Sequence, residues 1–224
     1  MPQTSKNEQE ASTAPATSQQ DKSAAVVGIT AKTSEVTEAS KAKSEVGKSP
    51  LEKFFCDQLM DIYYAEQQLT KMIPKMESSA TSEELKEAFS DHLHQTQKQI
   101  RRLEKVFKLI GKKAEGKKCE AIEGLSKEAE EIISETKKGS ATRDAALIIA
   151  AQKVEHYEIA SYGGLVQLAL TMGLDEVADL LDTTLMEEED TDLLLTEIAE
   201  AHINLEADQE EANYSWAQEE TSSS

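Results

Sequence analysis

The chain has 224 residues, with 24 basic and 43 acidic side chains and a formal net charge of −19. Aromatic residues make up only 4% and charged residues 30%, a balance that suits helices better than sheets. An acidic surface repels phosphate backbones, which argues against nucleic-acid binding by the folded part.

Residues 1–48 are rich in Ser, Thr, Ala, Gln and Lys, and VVGIT at 26–30 is their one apolar cluster. Too little apolar surface is available there to offset the entropy of ordering, so a disordered low-complexity tail is expected. The N-terminus lacks the apolar core of a signal peptide, and no apolar run approaches the ~20 residues of a membrane span. Cys56 and Cys119 stand far apart and form no CxxC pair, so neither a disulfide scaffold nor a zinc site is indicated. A cytoplasmic chain without a membrane partner is the expectation.

Ser49-Pro50 reads as the start of the first long helix, with serine as cap and proline in the first turn. Its apolar stripe is Phe55, Leu59, Ile62, Leu69, Ile73 and Met76, and Pro74 is expected to bend it near its end. Thr81 with Glu84 reads as a capping box that opens the second helix. Leu85, Phe89, Leu103, Val106 and Ile110 form its stripe, and Gly111 its stop. A glycine-punctuated stretch follows, with one short amphipathic helix over about Glu120–Ser134. Thr142 is the expected cap of a third long helix reaching Gly173. A fourth follows from Leu174 into the low 200s, burying Leu181, Thr184, Leu185, Leu195 and Ile198. Residues 206–224 are polar apart from Tyr214 and Trp216, and fraying is expected there.

Two helical hairpins joined by a long crossover give an all-α fold over 49–205. It is a ferritin-like four-helix bundle whose crossover carries a short fifth helix. An up-down-up-down bundle needs no such crossover.

Each long helix interrupts its apolar stripe with a polar residue. Glu66 lies between Ile62 and Leu69. His92 follows Phe89, with Gln95, Thr96 and Gln99 on the same face. Glu155 lies between Ala151 and Ile159, with Glu158 one turn on. Glu188 lies between Leu181 and Leu195, with Asp192 one turn on. A carboxylate at a core position is unfavourable unless paired, protonated or bound to a metal. In an antiparallel hairpin, residues equidistant from the turn are level. A first turn near Ser79 sets Glu66 level with His92, and a second near Gly173 sets Glu155 level with the segment between Glu188 and Asp192. Carboxylates and an imidazole converging at mid-bundle are the donors that a pair of iron or manganese ions requires. A buried polar layer that fixes helix register is the alternative. His156 falls off the stripe, and Tyr63, Tyr64, Tyr157 and Tyr162 read as packing or hydrogen-bonding groups.

Four segments resemble the bacterial YciE/YciF-like proteins. They are DxYxAExQL (Asp61, Tyr63, Ala65, Glu66, Gln68, Leu69), AFxxHL (Ala88, Phe89, His92, Leu93), the run Arg143–Gly163, and Leu185 to Thr196 through Glu187, Glu188, Glu189 and Asp192. The similarity covers roughly residues 51–201. It implies a ferritin-like fold, a homodimer, a link to bacterial stress responses and a dinuclear metal site. One departure stands out. Related ferritin-like proteins place glutamate and histidine on the second helix where this chain has Gln95 and Gln99, and neutral amides are poor ligands for iron. The candidate ligands are Glu66, His92, Glu155, Glu158, Glu188 and Asp192, holding two ions or one, with oxygen or peroxide as oxidant. The competing function is a non-enzymatic dimeric bundle that binds a protein partner. A DNA-protecting role is disfavoured by the acidic bundle and by a tail without basic excess.

Overall fold

The computed structural model describes residues 47–210; most of the expected N-terminal tail and the segment beyond Glu210 lie outside them. The described residues form α1 (Pro50–Ser79), α2 (Glu83–Leu109), α3 (Glu120–Glu135), α4 (Ala141–Thr171), α5 (Asp175–Ile198), a π-helical turn (Ala199–Ile203) and α6 (Asn204–Gln209), with no strand among them. None of these helices is long and apolar enough to cross a membrane.

α1 opens with a complete capping box. The Ser49 hydroxyl accepts from the Glu52 N–H at 3.1 Å, and the Glu52 carboxylate accepts from the Ser49 N–H at 2.8 Å. α1 stays helical through Pro74 to Ser79. Glycine in the left-handed region ends two of the long helices: Gly111 (φ +71°) follows α2, and Gly173 (φ +68°) follows α4. In each case the next residue reaches back five positions, Lys112 N–H to the Phe107 carbonyl and Leu174 N–H to the Ala169 carbonyl, both at 2.9 Å.

Two expected caps move. Ser82, not Thr81, caps α2, accepting from the Leu85 N–H at 3.4 Å, and Ser140, not Thr142, caps α4, accepting from the Arg143 N–H at 3.1 Å. Carboxylates distant in sequence are the reason. Asp144 takes the Thr81 and Ser82 N–H groups at 2.8 and 2.7 Å, and Glu210 takes those of Ala141 and Thr142 at 2.7 and 3.1 Å. The positive ends of both helix dipoles are thereby neutralised from outside the helix. Asp144 is buried, so Asp144→Ala leaves two N–H groups without acceptors. That loss is expected to lower the unfolding free energy by about 1–3 kcal/mol, read as a lower urea midpoint at unchanged slope.

The same contact fixes the topology. It sets the start of α4 beside the end of α1, so α4 runs parallel to α2, and the late-α2 Lys105 faces the early-α5 Glu176 at 3.6 Å, as antiparallel neighbours do. The long helices pack as a square in which α1 neighbours α2 and α4, and α5 neighbours α2 and α4. α2 and α4 therefore face each other across the diagonal, and the chain between them must return the length of the bundle. It does so along α1. The Lys117 N–H donates to the Met60 carbonyl at 2.9 Å, and a Cβ on Gly116 would stand 3.2–3.3 Å from the Tyr64 Cβ and Cα. α3 then lies against α4 and α1, which is why α4 buries residues around most of its circumference. The buried Arg143 joins the two, its guanidinium donating to the Ile133 carbonyl at 2.8 Å and to the Thr136 hydroxyl at 3.0 Å. This is the expected four-helix bundle with a helix in its crossover.

α5 also ends differently. The chain stays helical into the low 200s as expected, but through a π turn, which adds a residue and keeps both Ala199 and Ile203 buried. Leu185 is half-buried, while Leu181, Thr184, Leu195 and Ile198 are buried as the stripe requires.

Candidate metal centre

Glu66, His92, Glu155, Glu158 and Glu188 all project into the middle of the bundle, and none exceeds 5% exposure. Glu155 and Glu158 share a face because they are one turn apart on α4. His92, Glu155, Glu158 and Glu188 each offer a donor atom within 4.8 Å of all the others. His92 Nδ1 lies 3.4 Å from Glu155 Oε1, and His92 Nε2 lies 3.7 Å from Glu188 Oε2. Neither separation is a good hydrogen bond. Glu66 adjoins the group from α1 and accepts from the Tyr162 hydroxyl, itself fully buried.

The first inter-helix turn spans Ala80–Ser82, so Glu66 is level with Thr96, one turn beyond His92. His92 and Gln99 flank that level on the same face of α2. The second turn centres on Gly173, as the glycine predicts.

Few donors reach this cluster. Gln99 donates its amide to Glu188 Oε1 and, at 3.2 Å, to Glu187 Oε2. Arg102 grips Glu187 through two bonds of 2.7 and 2.8 Å and the Thr184 hydroxyl through a third of 2.6 Å. Glu66 Oε2, both oxygens of Glu155, both oxygens of Glu158, Glu188 Oε2 and His92 Nε2 are buried without a hydrogen-bond partner. A proton shared between the adjacent Glu155 and Glu188 carboxyls would join one pair and leave the others.

Burial dominates the electrostatics. It pushes the carboxyls of Glu66, Glu155 and Glu158 well above the usual carboxylate range, and their mutual repulsion adds to the effect. Glu188 is pushed up to about 8. Burial pulls His92 down to about 4, so its imidazole is neutral, the form that ligates metals. Hard oxygen donors with one imidazole suit iron or manganese better than softer metals. Four carboxylates balance the charge of two divalent ions, and His92 is the one imidazole among them. The donor set and its unpartnered atoms fit such ions.

Of the six predicted ligands, Asp192 stands apart. It lies one turn past Glu188 at the edge of the bundle, its side chain 22% exposed, with Oδ1 buried without a hydrogen-bond partner and 3.5 Å from Nε2 of the exposed His156. Sequence reasoning passed over Arg102 and Glu187 as site residues. Arg102 lies one turn after Gln99, a spacing that puts the two on one face, but a charged residue among charged neighbours reads as solvated surface. The tyrosines hydrogen-bond as expected: Tyr157 donates to Asp61 at 3.0 Å and Tyr63 to Glu104 at 3.2 Å.

The profile of a family described as a domain of unknown function (DUF892) matches residues 50–208. Protein YciF of Escherichia coli strain K12 is 46% identical over 159 residues, which cover 70% of this chain and 95% of that protein. The crystal structure of the E. coli stress protein YciF matches with a TM-score of 0.66 at 45% identity, covering 70% of this chain and 99% of that one. YcfI from Rhodopseudomonas palustris matches with a TM-score of 0.64 at 45% identity, covering 66% and 94%. The match in sequence runs almost the length of the described bundle and the fold agrees with it, so the chain belongs to the DUF892 family of YciF-like proteins.

Proposed function

We propose that this chain is a metal-binding stress protein that holds iron or manganese among Glu66, His92, Glu155, Glu158 and Glu188. The supporting observation is the set of buried acceptor atoms without donors. A polar layer kept for register satisfies itself internally, whereas this one lacks positive charge at its centre. The stress role follows the description of the E. coli relative.

Bound there, iron or manganese supplies redox chemistry toward oxygen or peroxide. The chain's own residues set the conditions. Glu66, Glu155, Glu158 and Glu188 give up their protons to bind the ions, and His92 is already neutral. Tyr162 orients Glu66 through its hydroxyl, and Gln99 orients Glu188 through its amide. Arg102 holds Glu187 and Thr184 against the outer side of Gln99, fixing its amide. The helices around the cluster exclude bulk water.

Metal content of full-length protein, purified without chelator or histidine tag, tests this. About two ions per chain are expected from the charge balance, and about one if Gln95 and Gln99, in place of glutamate and histidine, have lost a position. No bound iron or manganese after anaerobic loading would leave the register role standing and end the metal role.

A further inference from the structure

We propose that a small apolar cavity against the His92–Glu155 edge of the cluster binds dioxygen. The cavity has a volume of about 10 Å³ and is walled by the α1 stripe from Leu69 through Met72 and Ile73 to Met76, by Phe89 of α2 and by Val154 of α4. His92 and Glu155 close it on the side of the cluster. The inference rests on the metal proposal for its consequence, the choice of oxidant, and on the cavity alone for its existence.

The volume is about that needed by one small molecule, and a water there needs two to four polar partners. Only His92 and Glu155 among its walls carry any, and the surface turned to the cavity is apolar. Hydrogen peroxide has two O–H donors and four lone pairs, and it would leave most of them unmatched against Leu, Met, Ile and Phe walls. Dioxygen has no hydrogen bonds to lose and partitions into apolar space. Met72, 6% exposed, is the least buried of the apolar walls, and its flexible thioether stands where a small molecule would pass from solvent.

Dioxygen is paramagnetic, so it can serve as its own probe. Metal-free, full-length protein with ¹³C-labelled methyl groups is equilibrated under argon and under dioxygen, and methyl relaxation is compared. The methyls of Met72, Met76, Ile73 and Val154 are expected to gain at least ~3-fold more relaxation than those of Leu103 and Val106, which are also buried but do not line the cavity. Equal gains at both sets would overturn the proposal. Val154→Ile adds one methylene to the wall and is expected to abolish the excess at Met72 and Met76. An excess that survives this substitution places the gas elsewhere and also overturns it. Metal content is scored on the same preparation. Protein that takes up dioxygen but no iron or manganese keeps the cavity and loses the metal centre; protein with metal but no excess relaxation loses the cavity alone.

Discussion

Glu155→Gln is expected to weaken iron or manganese binding by ~100-fold or more, while raising the stability of the metal-free protein at pH 8 by about 1–2 kcal/mol. The two effects share a cause. Glu155 is 0% exposed, and both its oxygens lack partners. It is also crowded by the Glu188, Asp192 and Glu66 carboxyls, which oppose its ionisation. A cation turns that repulsion into attraction, and without one the protein must keep Glu155 protonated. Glutamine preserves the shape, removes an anionic ligand and brings an N–H₂ donor among acceptors. Isothermal titration with manganous ion, and urea unfolding in chelator, read the two effects separately. Equal metal content in wild type and variant would remove Glu155 from the ligand set. A loss of stability in the variant would instead indicate that the carboxyl holds the helices in register.

The second large effect is on pH. Glu188 has a folded value of about 8 against 4.5 for a free glutamate, so the folded state holds a proton that the unfolded state has released. Its contribution is whole below about 4.5 and is lost as pH rises through 8. Glu66, Glu155 and Glu158 act in the same sense. His92 acts oppositely. Its folded value of about 4 lies below the ordinary 6.5, so its contribution is whole above 6.5 and is lost as pH falls toward 4. Between 4.5 and 6.5 His92 offsets one carboxyl; above 6.5 nothing offsets them. The metal-free protein is therefore expected to lose stability most steeply between pH 6.5 and 8, at about 1.4 kcal/mol per pH unit for each proton not offset. Urea midpoints in chelator at pH 5, 6.5 and 8 measure it. Saturating metal is expected to flatten or reverse the slope, because ions displace the same protons. Midpoints that do not move with pH would show that these carboxyls titrate normally.

The sequence carried much of this arrangement. Glu66, His92, Glu155 and Glu188 were legible because each breaks an apolar stripe of period 3.6, and Gly173 marked the turn that brings α4 and α5 level. Glu158 followed from its position one turn beyond Glu155. Asp192 follows Glu188 by four residues rather than three, so it is rotated about 40° from it in the opposite sense to Glu158 from Glu155, and its side chain reaches the edge of the bundle instead of the cluster. The displaced caps were illegible for another reason. Asp144 and Glu210 supply from distant elements what Thr81–Glu84 and Thr142 were expected to supply locally, and spacing along one helix cannot show that. The Arg102–Glu187 grip was hidden likewise, since charged residues on a helix resemble solvated surface until the facing helix is known.

The diagonal placement of α2 and α4 also orders events as the chain is made. His92 leaves the ribosome long before Glu155 and Glu188, with the whole crossover between them. Until that segment has run back along α1, the first hairpin has no opposing helices, and its Glu66 and His92 remain in water with ordinary proton affinities. Closure of this long loop carries an entropy that only the later helices can offset. The unusual acidity constants are thus a property of the finished bundle and of no part of it. They are acquired when the second hairpin docks.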